Sequence, residues 1–154
     1  MKKFTIEIEI DQPRERVIEL FDNPDNLGYW QPGFVSFEHE SGEAGQPGAK
    51  SRLVYRHGSR EFEMIETVTC RNLPDEFSGT FHVPGTLTVR ARNFFKEAGP
   101  DKTKWISENE AESHSLLMKI MGLLMPNCSR NETENFMQNF KAFAETGADV
   151  RKKQ

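Results

Sequence analysis

The sequence predicts an α+β domain in which one antiparallel sheet is followed by a long terminal helix. Three observations carry that prediction. Apolar and polar residues alternate over most of the chain up to Ser113, and separators containing Gly or Pro cut this stretch into pieces of strand length. Beyond Ser115 the apolar period changes from two to three and four.

Phe4, Ile6, Ile8 and Ile10 alternate with Thr5, Glu7 and Glu9, which gives a first strand with one apolar and one wet face. Pro13 then opens a short helix, PRERVIELFDNP, with Asp11 as its expected cap and Val17, Leu20 and Phe21 on one stripe. Pro24 closes it. The stretch NPDNLGYWQPGF leaves room for only a turn or two of helix before Pro32 and Gly33 stop it. Six strand-like segments follow, at 34–40, 51–56, 60–70, 76–83, 86–95 and 103–112. Their separators, SGEAGQPGAK, RHGS, RNLPD, HVPG and KEAGPDK, suit hairpins between antiparallel neighbours. Leu116, Leu117, Ile120, Met121, Leu124 and Met125, then Phe136, Phe140 and Phe143, predict a long helical region. It is expected to break near Pro126, with Asn131 as a new cap and Glu134 as its box partner.

With 154 residues and no internal repeat or low-complexity tract, a single domain over 1–147 is expected, followed by a charged tail at 148–154. The net charge is -4, and the basic residues are scattered apart from the final RKK, which argues against a nucleic-acid partner. No apolar run approaches ~18 residues, so no integral membrane segment is expected. MKKFTIEIEI alternates apolar with acidic residues where a secretory signal would be unbroken, and Cys70 and Cys128 form no CxxC; a cytoplasmic protein is expected. The four histidines fall in four segments without ligand spacing, so neither a metal nor a cofactor is expected. Gly42, Gly45 and Gly48 open a strand where a phosphate cradle would open a helix. No nucleophile elbow of the GxSxG type is present.

The order of elements resembles the helix-grip fold. NPDNLGYWQPGF, GEAGQPGAKSRLVY and the closing NFMQNFKAFAE carry a resemblance to the SRPBCC superfamily over nearly the whole chain. That superfamily includes START domains, the birch-pollen allergen family and polyketide cyclases. The resemblance implies a curved seven-stranded antiparallel sheet wrapped around the C-terminal helix, two short helical segments after the first strand, and a cavity between sheet and helix. It also implies that Tyr29 and Trp30 pack beneath that helix, with the phenol and indole N–H at a polar edge.

Alternation separates the inward face of each strand from the outward one. The inward set is expected to be Val35, Phe37 and His39; Leu53 and Tyr55; Phe62, Met64, Glu66, Val68 and Cys70; and Phe77, Gly79, Phe81 and Val83. Leu87, Val89, Ala91, Asn93 and Phe95 should join them, with Trp105, Ser107, Asn109 and Ala111. From these faces the expected cavity wall comprises Phe37, Leu53, Tyr55, Met64, Glu66, Phe81, Val89, Asn93, Trp105 and Asn109 on the sheet. Leu117, Met121, Phe136 and Phe140 would complete it on the helix, and Trp30 beneath. Glu66 has two readings. Either it meets an arginine or a strand end and orders the sheet, or it hydrogen-bonds a ligand and moves protons, with Tyr55 and Asn109 orienting. Glu66 and Tyr55 are the only catalytic candidates.

Residues 116–125 are apolar at eight of ten positions, wider than a one-sided stripe. They are either buried on most sides or offered to a second subunit or a lipid. The leading functional expectation is binding of a small hydrophobic or amphipathic ligand: a lipid, isoprenoid or polyketide-like compound. The alternatives are an aromatase/cyclase-like enzyme using the same cavity, and an interaction module like the relatives that activate a chaperone ATPase.

Overall fold

Strand β1 (Lys2–Ile10) buries Ile6, Ile8 and Ile10 and leaves Thr5, Glu7 and Glu9 in water, as its alternation requires. The structure is a computed structural model and describes residues 2–125 and 127–152. After β1 come α1 (Arg14–Phe21), a 3-10 turn (Pro24–Asn26) and the four-residue α2 (Leu27–Trp30). A meander follows: β2 (Phe34–Ser41), β3 (Lys50–His57), β4 (Arg60–Asn72), β5 (Glu76–Val83), β6 (Leu87–Gly99) and β7 (Lys102–Ser113). Helices α3 (Leu116–Leu124) and α4 (Cys128–Thr146) end the sequence of large elements. The seven strands form one antiparallel sheet in the order β1-β7-β6-β5-β4-β3-β2. Only β1 departs from sequence order, pairing with β7 in a register that sets Ile6 opposite Ser107 and Ile8 opposite Trp105.

Two expected caps are not where the sequence pattern puts them. Pro13 occupies the position before α1, and Asp11, two residues further out, donates its N–H to Glu145 Oε2 at 2.7 Å. Asn131 and Glu134 lie inside α4, because the helix begins one turn earlier, behind Asn127. Pro126 itself lies outside the described residues. Helix α4 ends at Gly147, whose φ of 75° is the left-handed conformation that closes many helices.

The core sits at one end of the sheet. Phe140 is 0% exposed, with ring centroids 5.2 Å from Trp30, 5.3 Å from Trp105 and 6.1 Å from Phe21. Ile10, Val17, Phe95 and Met137 close around this aromatic group. Tyr29 stacks on Phe143 at 4.7 Å, and the Arg151 guanidinium lies over the Tyr29 ring at 4.7 Å from its centroid. Residues 149–152, expected as part of a charged tail, therefore pack back onto α2. Cross-strand ion pairs such as Lys104–Glu7 and Arg92–Glu108 decorate the wet face, each worth little because water screens it.

Phe140→Ala is expected to lower stability by about 3–5 kcal/mol in urea denaturation, since it removes a fully buried ring. Phe136→Ala, one turn earlier and half-buried, should cost clearly less. Equal losses would mean that α4 is not anchored at Phe140.

Candidate functional site

Helix α4 rests on β1 and α2, and the sheet curves away from its other flank. Phe21 of α1 packs on Phe77 of β5 and Phe95 of β6, and much of the remaining inward face of β3 to β6 is left without a helix against it. What remains is a cavity of about 500 Å³. Twelve of the residues nominated from the sequence line it: Trp30, Phe37, Leu53, Tyr55, Met64, Glu66, Phe81, Val89, Asn93, Trp105, Asn109 and Phe136.

Three others do not. Leu117 and Met121 are 68% and 41% exposed on α3, which the break after residue 125 sends off the axis of α4. Phe140 fills the core instead of facing open space. Parity also fails at two bulges. A register shift between Val68 and Cys70 takes Cys70 off the inward face and puts Arg71 in the wall, and one between Phe34 and Ser36 leaves Val35 43% exposed.

The wall has members that the alternation did not reveal. Asp22, at the end of α1, and Arg71, on β4, form a two-pronged ion pair at 2.6 and 2.8 Å across 49 positions of sequence. Arg71 also donates to Gly45 O at 3.4 Å, tying down the loop between β2 and β3, of which Ala44, Gly45 and Gln46 face the cavity. That loop needs Gly42 at its start. Its φ is 77°, and a Cβ there would lie 2.9 Å from Ala49 Cα. Gln31, Ser129, Glu132 and Thr133 complete the polar part of the lining.

Most polar groups in the wall satisfy one another. The Tyr55 hydroxyl donates to Gln31 Oε1 at 2.7 Å, Trp105 Nε1 to Asn93 Oδ1 at 2.9 Å, and Asn109 Nδ2 to Ser107 Oγ at 2.9 Å. Burial, then the negative charges of Glu66 and Glu132, push the Tyr55 phenol far above its usual range. Two groups are left over. The indole Nε1 of Trp30 is buried with no acceptor among the described residues, so it does not reach the polar edge expected of it. Glu66 makes no hydrogen bond or ion pair among them, and burial raises its carboxyl from 4.5 to about 7. Near neutrality Glu66 is therefore able to donate a proton or accept one. Among the described residues no cluster of His, Cys, Asp or Glu has the makings of a metal site. No described helix is long and apolar enough to cross a membrane.

This architecture recurs in solved structures. A conserved protein from Geobacillus kaustophilus superposes with a TM-score of 0.75 at 13% identity, covering 93% of this chain and 95% of that one. Ara h 8.0201 gives 0.70 at 11% identity, with 93% and 97% covered. The Zhui aromatase/cyclase from Streptomyces sp. R1128 gives 0.68 at 10%, with 97% and 99% covered. No protein-family model and no curated protein sequence matches the chain. It has the helix-grip fold, shared with the Ara h 8.0201 and Zhui aromatase/cyclase structures. At these identities the likeness carries the fold and nothing finer.

The raised carboxyl of Glu66 gives stability a definite pH dependence. Between about 4.5 and about 7 the folded state binds more protons at this site than the unfolded state, so its contribution falls as pH rises and is constant above. Glu66→Gln should be the more stable protein at pH 8, by on the order of 3 kcal/mol, and should lose that advantage towards pH 4. Chemical denaturation across this range reads the difference directly. A pH-independent gap between the two proteins would place the proton elsewhere.

Proposed function

We propose that the cavity binds a small hydrophobic or amphipathic molecule of lipid, isoprenoid or polyketide-like character, uncharged or cationic, with its polar end near Glu66. The observation that carries this reading is the composition of the wall. About 500 Å³ is enclosed mainly by Leu, Phe, Met, Val and Trp side chains, a size and chemistry suited to a compact apolar ligand. The one Lys or Arg in the wall, Arg71, is already neutralised by Asp22, while Glu66 and Glu132 add negative charge. A carboxylate ligand would meet no unpaired Lys or Arg among the described residues of the wall. A hydroxyl or carbonyl would find the Glu66 carboxyl, and transfer of the apolar body contributes roughly 25 cal/mol per Å² buried.

A second reading, an aromatase/cyclase-like enzyme, is favoured by one feature: a carboxyl that titrates near 7 inside an apolar chamber is suited to general acid–base work. In that case Glu66 moves the proton and Tyr55, held by Gln31, orients the chain. Turnover that is unchanged in Glu66→Gln would remove this reading.

Native mass spectrometry of the protein, followed by solvent extraction, is expected to release a hydrophobic molecule without a carboxylate. In displacement of a fluorescent amphiphile at pH 8, a fatty alcohol should bind at least about tenfold tighter than the acid of equal chain length, and the gap should narrow in Glu66→Gln. Equal affinity for alcohol and acid would contradict the charge argument, and binding of neither would contradict the cavity reading itself.

A further inference from the structure

Helix α3 is exposed to an unusual degree for an apolar segment. Leu116, Leu117, Ile120, Leu123 and Leu124 are 74%, 68%, 45%, 83% and 73% exposed, and Met121 is 41% exposed. At 3.6 residues per turn these six positions cover an arc of about 160°, against the ~100° stripe that a helix typically turns to a protein core. Single exposed leucines are ordinary, but a contiguous patch of this kind marks a contact surface.

The helix is firmly joined to the rest of the molecule. Ser115 caps it by accepting from the Met118 N–H at 3.1 Å, and the His114 N–H donates to Thr86 O at 2.8 Å in the turn between β5 and β6. Lys2 Nζ, on β1, donates to Gly122 O at 2.8 Å and so ties the helix to the sheet. Its exposed face is therefore presented by a fixed scaffold.

Charge indicates what that face meets. The protein as a whole carries a net -4, yet the stretch from Ser113 to Asn131 contains Lys119 and Arg130 and no Asp or Glu. Glu112, the acid just before this stretch, is paired with Arg90 at 3.6 Å. An apolar arc with Lys119 beside it and no acid along the stretch, inside an acidic protein, complements an anionic lipid surface, where leucines enter the acyl boundary and the lysine stays with the headgroups.

Area speaks against a second copy of the chain. A nine-residue helix is only about 14 Å long, and two of them packed together bury much less than the ~800 Å² per partner of a standard interface. A pair would also leave much of the wide arc wet. Nor is the helix long enough to span the ~30 Å hydrocarbon layer, so it has to lie in the interface plane.

We propose that α3 is a membrane-docking helix that seats this protein on an anionic bilayer surface. Because His114 ties the start of α3 to the β5–β6 turn, whose flanking residues Val83 and Leu87 line the cavity, docking brings that rim of the cavity next to the lipid. The docking itself does not depend on what the cavity holds.

Co-sedimentation of the full chain with vesicles of equal parts phosphatidylcholine and phosphatidylglycerol tests this. The wild-type chain is expected to pellet with the vesicles, and L117E/L123E to lose about hundredfold or more in partitioning, with an unchanged thermal melt because both side chains face solvent. K119E should weaken binding less, and only at low salt. In a second variant, Leu123→Trp, vesicles should shift the new emission to the blue and brominated phosphatidylcholine should quench it. Wild-type protein left in the supernatant, or L117E/L123E pelleting as well as wild type, would overturn the proposal. So would a dimer in sedimentation equilibrium that L117E/L123E abolishes, together with no vesicle binding.

Discussion

The seating of Phe140 among Trp30, Trp105 and Phe21 is the contact on which the rest of the molecule depends. It fixes the C-terminal half of α4 against β1, α1 and α2. Because the sheet twists and coils away from that point, the N-terminal half of the same helix stands clear of β3 to β6. The cavity is the geometric remainder. A helix pinned along its whole length would have closed it, and a helix pinned nowhere would not have made a wall. Aromatic rings suit this task because they bury a large area each and hold one another in fixed edge-to-face arrangements.

The polar chemistry of the wall follows from the same geometry. Side chains that point inward on β6 and β7 sit close enough to pair with one another, and Trp105–Asn93 and Asn109–Ser107 do so. Tyr55 and Gln31 do the same across the loop that follows α2. Paired groups present little unmet hydrogen-bonding demand, so the surface they offer is less polar than their names suggest. Glu66 lies near the middle of β4, opposite Ser51 on one neighbour and Phe81 on the other, where it makes no ion pair among the described residues. Position alone isolates it.

Much of this was legible in the sequence because strand parity is a strict rule. Once a segment such as 60–70 is recognised as a strand with one apolar face, its inward members follow, and Phe62, Met64, Glu66 and Val68 all lie where the alternation puts them. The rule breaks where a strand carries an extra residue. The bulge after Val68 reverses the parity, and no feature of VTCRN announces it, so Arg71 was hidden and Cys70 misplaced. Its partner Asp22 was hidden for a different reason: ion pairs across long sequence separations leave no local signature. Helical periodicity predicted α3 and α4 but not their axes. Leu117 and Met121 share a period with Phe136, and the break between the two helices sends them to opposite environments.

A chain of 154 residues that keeps about 500 Å³ free of its own side chains forgoes packing that a fully filled domain of this size would have. Half-buried Met64, Phe77, Phe81 and Val89 contribute less to folding than the same residues would in a closed core. Any molecule that enters and excludes water there restores part of the missing contacts, and binding to the folded state alone displaces the unfolding equilibrium by mass action. On the proposed reading the melting temperature of this protein is thus a gauge of what the cavity holds, and its empty and filled forms would differ in durability.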